Sequence, residues 1–435
     1  MKTTLQFPKN ATKQHIGYIG TTGAGKTQGL MQLFDNFEDS KKILIDVKGD
    51  YTATRKKDDD LIFCPYDKRT IGWNVFNDIK TYLDIDNIVA ALIPDNPKTT
   101  DSYFDNAARS VLKGIFIYLS KEEGADNASL WDVVTSPDLI LHIVRNDKEA
   151  CSYMEMHLGK EEELDKQAKS VLGTMLAHIG VTLEALSKID GDFSFKEWTK
   201  STQDKRSIFL LGEESVLTSL LPLYRVAVEI VASELLSMPD DTTGKRELFF
   251  WLDELPKLKK VSKVIDLMTL ARSKGGRVIY SIQTLKQLSE VYGKEGMYTI
   301  LDTSNTLFIF RTTDANELEN VLGKQEVLEY SESRTWGPHD MRDGGSHSKQ
   351  KKTKPLVLAS DIQRLENLEF YIKSIAPDIT KAKLQYIGRE EKNPKFVPNI
   401  EQIKKRSVND DEDSEAYESE NRVSADDFMD DISSL

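Results

Sequence analysis

The sequence contains little cysteine and no long hydrophobic run. Only Cys64 and Cys151 occur in 435 residues, and neither has a CxxC partner, which argues against a disulfide framework and a cysteine metal site. No stretch approaches the roughly 20 apolar residues that cross a bilayer. The first ten residues, MKTTLQFPKN, lack the apolar core of a signal peptide. The sequence therefore predicts a cytoplasmic protein with two reduced thiols.

The negative charge is concentrated at the C-terminal end. The formal net charge is −13, and residues 409–435 hold eleven acidic residues against Arg422, so this tail carries −10 and the rest of the chain −3. Dense like charge with few apolar residues is typical of a disordered segment. Its last stretch, ADDFMDDISSL, spaces apolar residues as a helix would. It is either a solvated end or a peptide that binds a basic surface on a protein partner.

A glycine-rich stretch, YIGTTGAGKTQGL, has the pattern of a phosphate-binding loop. It follows an apolar strand-like run and precedes a helical pattern, which is the context that such loops require. Glycine permits the backbone angles with which successive N–H groups surround a polyphosphate at a helix N-terminus. We predict that Lys26 contacts the β and γ phosphates and that the Thr27 hydroxyl binds Mg²⁺. The residues predicted to hold ATP are Gly20, Thr21, Thr22, Gly23, Ala24, Gly25, Lys26, Thr27 and Gln28.

A second part of the nucleotide site is expected where the strand in ELFFWLDELPKL ends. Asp253 is placed to bind Mg²⁺ through its water shell, and Glu254 to polarise the water that attacks the γ phosphate. Two later strands, RVIYSIQ and NTLFIFRTT, end at Gln283 and Arg311. Gln283 is placed to sense the γ phosphate. Arg272 fits either a finger that acts on a neighbouring subunit or an ordinary helix-end cation.

Strand and helix patterns alternate in a way that predicts an α/β architecture with a mostly parallel sheet. Residues 1–95 are the expected first part of a nucleotide-binding domain, and 201–390 its second part. Between them, 96–200 show helical periodicity and no convincing strand, so they predict an all-α insertion. Residues 391–435 are predicted to be a linker and the disordered acidic tail. His178 falls on an apolar helix face, which favours a core residue over a metal ligand.

Taken together, these residues resemble those of the type IV secretion coupling proteins, the TraD/TrwB-type ATPases of bacterial conjugation. The landmarks, in order, are GTTGAGKT, DVKGDY, CPYDKRTIGWNVFNDI, YFDNAARSVL, WLDELPKL and LARSKGGRVIYSIQTLKQLSEVYG. The resemblance covers residues 12–390. It implies a RecA-like P-loop NTPase domain interrupted by an all-α domain, and a ring hexamer with ATP and Mg²⁺ between subunits. It also implies that Lys26, Glu254 and Gln283 are catalytic, with Arg272 acting in trans.

The same resemblance implies a function in DNA transfer. The chain is expected to recruit single-stranded DNA bound to relaxase and relaxosome proteins, with protein substrates as a further cargo, and to move it to a type IV secretion channel. Family members usually begin with a membrane-spanning segment, whereas this sequence begins almost at its first strand. We therefore expect a protein that is peripheral to, or tethered at, the bacterial inner membrane. Two alternatives stay open: an ATP-regulated docking platform for secreted proteins, and a double-stranded DNA translocase of the FtsK or HerA kind.

Two lysine-rich runs are candidates for DNA contact. They consist of Lys257, Lys259, Lys260 and Lys263 after the acidic pair, and of Lys349, Lys351, Lys352 and Lys354 in a polar segment. Either run fits non-specific binding to phosphates, and either fits an ordinary solvated loop.

Overall fold

The computed structural model describes residues 14–95, 102–159, 163–213, 216–335, 344–374 and 378–399. The acidic tail, with its predicted disorder and its predicted protein partner, lies outside the described residues.

A nine-stranded sheet forms the centre of the molecule. Its strands are β1 Ile16–Ile19, β2 Lys41–Asp46, β3 Leu61–Phe63, β4 Ile208–Leu211, β5 Leu248–Leu252, β6 Gly276–Ile282, β7 Thr306–Phe310, β10 Glu369–Lys373 and β11 Thr380–Lys383. Their order is β11-β10-β7-β1-β6-β5-β2-β4-β3. β1 to β7 are mutually parallel, while at one edge β10 pairs antiparallel with β7 and β11 pairs antiparallel with β10. β1, β2 and β4 to β7 are buried at every position, as in parallel sheets covered on both faces.

Helices surround this sheet and form the insertion. Those of the sheet domain are α1 Lys26–Asn36, α2 Asp50–Arg55, α3 Tyr82–Leu92, α10 Leu217–Ser237, α11 Val264–Leu270, α12 Leu285–Thr303, α13 Ala315–Leu322 and α14 Ala359–Gln363. Those of the insertion are α4 Tyr103–Leu119, α5 Asn127–Thr135, α6 Pro137–Asn146, α7 Lys148–Leu158, α8 Lys166–Leu186 and α9 Phe195–Lys200. In the described part of residues 102–200 every regular element is a helix, as the periodicity predicted.

One buried asparagine joins the insertion to the sheet domain. Asn127 begins α5 and is only 1% exposed. Its side chain accepts a hydrogen bond from the N–H of Val75 (3.0 Å) and donates to the carbonyls of Trp73 (2.7 Å) and Ile189 (2.8 Å). Because a buried amide is costly unless its bonds are made, this network sets the position of the insertion.

The prediction that His178 is a core residue is wrong. Its side chain is 38% exposed, and Nε2 lies 2.9 Å from Oδ1 of Asp105 on α4. The apolar stripe of α8 is carried by residues such as Val171, Met175 and Ile179, which are buried. His178 lies at the margin of that stripe, where a polar partner on the neighbouring helix is within reach.

Two structural features were not predicted from the sequence. The first is an antiparallel ribbon separate from the main sheet, formed by β8 Lys324–Thr335 and β9 Gly344–Pro355. The second is the segment 384–399, which crosses the sheet domain. For example, the N–H groups of Lys392 and Asn393 donate to the carbonyl of Ala53, and Val397 N–H donates to Asp67. Residues 391–399, assigned above to the linker, therefore lie against α2 and the turn after β3.

Candidate nucleotide-binding site

The phosphate loop lies between β1 and α1 at the carboxyl edge of the sheet. β1 is flanked by β6 and β7, and the ends of both neighbours hold the loop. Gly20 N–H donates to the carbonyl of Ile282, the last residue of β6 (3.2 Å), and Thr21 N–H donates to the carbonyl of Arg311 after β7 (2.9 Å). The carboxyl edge of a parallel sheet thus presents this loop in the place where ligands commonly bind.

Gly25 allows another segment to close against the loop. It precedes α1 with φ +117°, a conformation that side chains rarely adopt. A Cβ on Gly25 would lie 2.8 Å from Cδ2 and 3.1 Å from Cα of Leu368. Leu368 N–H in turn donates to the carbonyl of Ala24 (2.8 Å). Glycine is therefore required here both for its backbone angle and for this close contact.

Lys26 is held against the loop. Its buried Nζ donates to the carbonyls of Gly20 (2.5 Å) and Thr21 (3.2 Å). Burial lowers the pKa of Lys26, and the nearby carboxylates of Glu254 and Asp253 oppose that shift. The ammonium therefore lies between the loop and the acidic pair.

Asp253 and Glu254 follow β5 and are oriented by residues of neighbouring elements. The Ser281 hydroxyl donates to Asp253 (2.6 Å) and accepts from Glu254 N–H (3.0 Å), while the Tyr51 hydroxyl donates to Asp253 (3.3 Å). Glu254 has the left-handed angles φ 62° and ψ 56°. Such strained backbone tends to occur at functional sites.

Gln283 connects the acidic pair with the phosphate loop. Its Nε2 donates to Glu254 Oε2 (2.8 Å), and its Oε1 accepts from the Thr22 hydroxyl (3.2 Å). Burial raises the pKa values of both Asp253 and Glu254, whereas their hydrogen bonds and the charge of Lys26 lower them. Glu254 is thus a half-buried carboxylate whose basicity exceeds that of a solvated glutamate.

These residues line one cleft of about 460 Å³, a size that suits a small-molecule ligand. Among the sequence-predicted site residues the cleft contains Thr22, Gly23, Gly25, Lys26, Thr27, Gln28, Asp253, Glu254 and Gln283. Gly20, Thr21 and Ala24 shape the loop from behind. The structure thus brings both predicted halves of the site together.

Arg272 lies elsewhere. It is exposed, in the turn between α11 and β6. Its charge contributes to lowering the pKa of His15, which precedes β1, so Arg272 is near the amino edge of the sheet. The phosphate loop lies at the carboxyl edge. The structure therefore does not place Arg272 in its own chain's cleft.

Comparison with known families decides the relationship of this chain. The profile for the DNA-binding domain of type IV secretion-system coupling proteins matches residues 2–385. The chain belongs to this family. The resemblance deduced from the sequence motifs is thereby confirmed.

Curated relatives of this coupling protein are distant but extensive. The coupling protein TraD of Escherichia coli (strain K12) is 25% identical over 435 residues, covering 97% of this chain and 57% of TraD. VirD4 of Agrobacterium fabrum is 24% identical over 329 residues, covering 70% of this chain and 48% of VirD4. The chain thus spans about half the length of these relatives.

Solved structures show the same fold. The conjugative coupling protein TrwB, in its unbound form, superposes with a TM-score of 0.74 at 23% identity, covering 90% of this chain and 89% of that one. TrwB in complex with ADP and Mg²⁺ gives a TM-score of 0.72 at 23% identity, with coverages of 90% and 89%. The RecA-like P-loop fold with its helical interruption is therefore confirmed.

Several residues of the coupling protein's cleft were missed in the sequence. Ser281 and Tyr51 orient the acidic pair, and Leu368 and Tyr386 line the cleft beside the loop. Lys257, considered above as a DNA contact, also lines this cleft. A polar residue within the apolar run VIYSI was the one available signal for Ser281.

Proposed function

We propose that this chain is an ATP-driven coupling protein that recruits relaxase-bound single-stranded DNA, with protein substrates as a further cargo, and moves it to a type IV secretion channel. The observation that carries this proposal is the convergence of Lys26, Glu254 and Gln283 in one cleft. A loop that binds phosphates and a positioned carboxylate together suit hydrolysis of a nucleoside triphosphate.

The cleft fits ATP and Mg²⁺. The loop N–H groups and Lys26 are donors for phosphates, and the oxygens of Thr27 and Asp253 are the hard ligands that Mg²⁺ prefers. Mg²⁺ would be held through these two residues and, when bound, supplies charge neutralisation between phosphates. The related TrwB has been solved with ADP and Mg²⁺ and with a non-hydrolysable ATP analogue, which supports this assignment.

In the proposed reaction ATP is the substrate and water the nucleophile. Glu254 accepts a proton from the attacking water, and its raised pKa makes it a stronger base than a solvated carboxylate. Gln283 holds Glu254 in place and lies next to the loop, so it can respond to the γ phosphate. Lys26 balances the charge that develops on the phosphoryl oxygens.

A positive group for the transition state would come from a second subunit. Among the described residues that line the cleft, the cations are lysines, and arginine is not among them. Arg272 is exposed at the opposite edge of the sheet, where it can face the cleft of a neighbouring copy in a ring. We therefore infer a homo-hexamer in which Arg272 acts in trans, as arginine fingers do.

Membership of the family supports the proposed cargo and location. A coupling protein of this family would contact DNA, relaxosome proteins and channel components at the bacterial inner membrane. Within the described residues, every helix is too short or too polar to span a bilayer.

Glu254 separates this proposal from the docking-platform alternative. A platform that uses ATP only for assembly needs the loop but no base for water. Hydrogen bonds from Gln283 and to Ser281 fix the position of Glu254, which favours hydrolysis of ATP over a role in assembly alone. The FtsK or HerA alternative differs in its cargo, which is duplex DNA.

The test is the ATPase rate with and without single-stranded or duplex DNA. In Glu254→Gln, kcat is expected to fall about 100-fold or more, because general-base catalysis is lost, while ATP binding persists. Glu247→Gln, at the other end of the same strand, is the matched control and should keep full activity. Stimulation by duplex alone would favour the translocase alternative. ATP binding without turnover would favour the docking platform.

A further inference from the structure

The cleft extends past the phosphate loop to a pair of side chains that the proposed reaction does not use. Leu368 precedes β10, and Tyr386 follows β11; both line the cleft. Tyr386 is 68% exposed, so its ring is accessible to a ligand in the cleft. We call this pair the apolar slot.

The two sides of the slot are fixed to each other and to the loop. β10 and β11 pair in antiparallel register, and beyond them Leu384 N–H donates to the carbonyl of Leu368 (2.9 Å). Leu368 itself contacts Gly25 and donates to Ala24. The backbone of Leu368 is therefore held against the phosphate loop.

The backbone on both sides of Tyr386 is anchored on α1. The Gln32 side chain donates to the carbonyl of Gln385 (2.8 Å), and Arg389 Nη1 donates to Gln28 Oε1 (3.0 Å). Arg389 also lies 3.7 Å from Asp35. The backbone around Tyr386 is thus fixed on α1, and the exposed Tyr386 ring is accessible to a ligand.

The chemistry of the cleft changes along its length. Glu254 and Gln283 mark the end where the γ phosphate reacts, and the loop holds the phosphates. Tyr386 and Gln28 both line the cleft, and the N–H of Ile387, the residue after Tyr386, donates to Gln28 Oε1 (3.5 Å), so a nucleotide bound in this direction brings its base to the slot. An aromatic face and an aliphatic side chain suit the flat, apolar surface of a purine.

We propose that Tyr386 and Leu368 form the nucleobase subsite of this coupling protein, with the base stacked on the Tyr386 ring. This inference rests on the proposed function, because it requires a nucleoside triphosphate in the cleft. Stacking recognises the face of the base rather than its edge. ATP and GTP are therefore expected to bind with similar affinity.

The experiment is isothermal titration calorimetry of the whole chain with Mg²⁺ and two ligands: a non-hydrolysable ATP analogue and inorganic tripolyphosphate. Tyr386→Ala should weaken binding of the analogue about 5- to 100-fold, the range that loss of one stacked base gives. Its affinity for tripolyphosphate, which has no base, should be unchanged. Tyr386→Phe keeps the ring and should bind like the unaltered chain.

Tyr298→Ala is the matched control, since Tyr298 is an exposed tyrosine on α12 that does not line the cleft. The subsite is overturned if Tyr386→Ala binds the analogue normally. It is equally overturned if that variant loses tripolyphosphate as strongly as the analogue, because the effect would then come from a displaced loop. Failure of the unaltered chain to bind either ligand would overturn the proposed function as well.

Discussion

At the scale of single residues, the acidic pair depends on partners that the sequence pattern does not reveal. Asp253 and Glu254 were predictable because they end an apolar strand after a phosphate loop has been recognised. Ser281 and Tyr51 were not, because their bonds to Asp253 connect residues 28 and 202 positions apart. Local periodicity identifies the strand on which a residue lies, but only the strand order shows which side chains meet.

One buried carboxylate outside the cleft predicts a pH-dependent stability. Glu229 on α10 is 1% exposed; Oε2 accepts from Lys263 N–H (3.2 Å), while Oε1 is buried without a hydrogen-bond partner. Burial raises its pKa from 4.5 to about 7, although Lys263 opposes the shift and Asp266 adds to it. The folded state thus holds this proton more tightly than the unfolded chain does. Its contribution to stability is full below pH 4.5 and is lost as pH rises through about 7.

We expect Glu229→Gln to remove this part of the pH dependence. The lost contribution is about 3 kcal/mol by linkage, so the variant should be the more stable protein at pH 8. Urea unfolding between pH 5 and pH 8 measures it. Burial also raises the pKa of Asp46 to about 6, so the free energy of unfolding of the variant should still fall with rising pH, but less steeply. If the free energy of unfolding differs between pH 5 and pH 8 by the same amount in the variant as in the unaltered chain, the assignment to Glu229 is contradicted.

At the scale of elements, strands with continuous apolar runs were predicted and polar ones were not. β1 and β5 are apolar and fully buried, so the apolar run alone identifies them. β9 (GGSHSKQKKTKP) and β11 (TKAK) are rich in lysine and lack an apolar run, although each pairs with the strand directly before it in the chain. The lysines of β9 had suggested either a DNA contact or a solvated loop. In the structure they lie on strands, where alternation sends neighbouring residues to opposite faces.

The two faces of the β8–β9 ribbon predict different roles for its lysines. On one face Tyr330, which is 74% exposed, pairs with Lys349, whose Nζ lies 5.3 Å from the ring centre; Leu328 pairs with Lys351. On the other face Lys352 and Lys354 both bind Glu329 and lower its pKa to about 2. An aromatic side chain next to lysines suits stacked bases and their phosphates.

We therefore expect Tyr330→Ala and Lys349→Ala to weaken binding of single-stranded DNA, by about 5- to 100-fold for the tyrosine. Fluorescence anisotropy with a labelled oligonucleotide measures this, and a salt titration should show a smaller slope for Lys349→Ala. Lys352→Ala is the matched control on the opposite face. Equal losses of DNA affinity in Lys349→Ala and Lys352→Ala would contradict the prediction that only the face with Tyr330 binds DNA.

At the scale of the whole molecule, the strand order places two predicted catalytic groups at opposite edges of the sheet. Parallel strands put the loop, Asp253 and Glu254 at the carboxyl edge, whereas Arg272 precedes β6 at the amino edge. One chain cannot bring Arg272 to its own cleft without breaking the sheet. The proposed action of Arg272 in trans would require head-to-tail contacts between copies, which form a ring when the rotation between subunits closes.

Complementation between inactive variants tests this arrangement. Lys26→Ala has no functional loop, and Arg272→Ala is expected to lose about 1,000-fold or more in kcat if the arginine is a finger. Mixing the two should restore ATPase activity, because about a quarter of the interfaces in randomly mixed rings pair an intact loop with an intact Arg272. Lys26→Ala mixed with Glu254→Gln should stay inactive, since both residues serve the same chain's cleft. If neither mixture recovers ATPase activity and Arg272→Ala alone is as active as the unaltered chain, each cleft works without its neighbour.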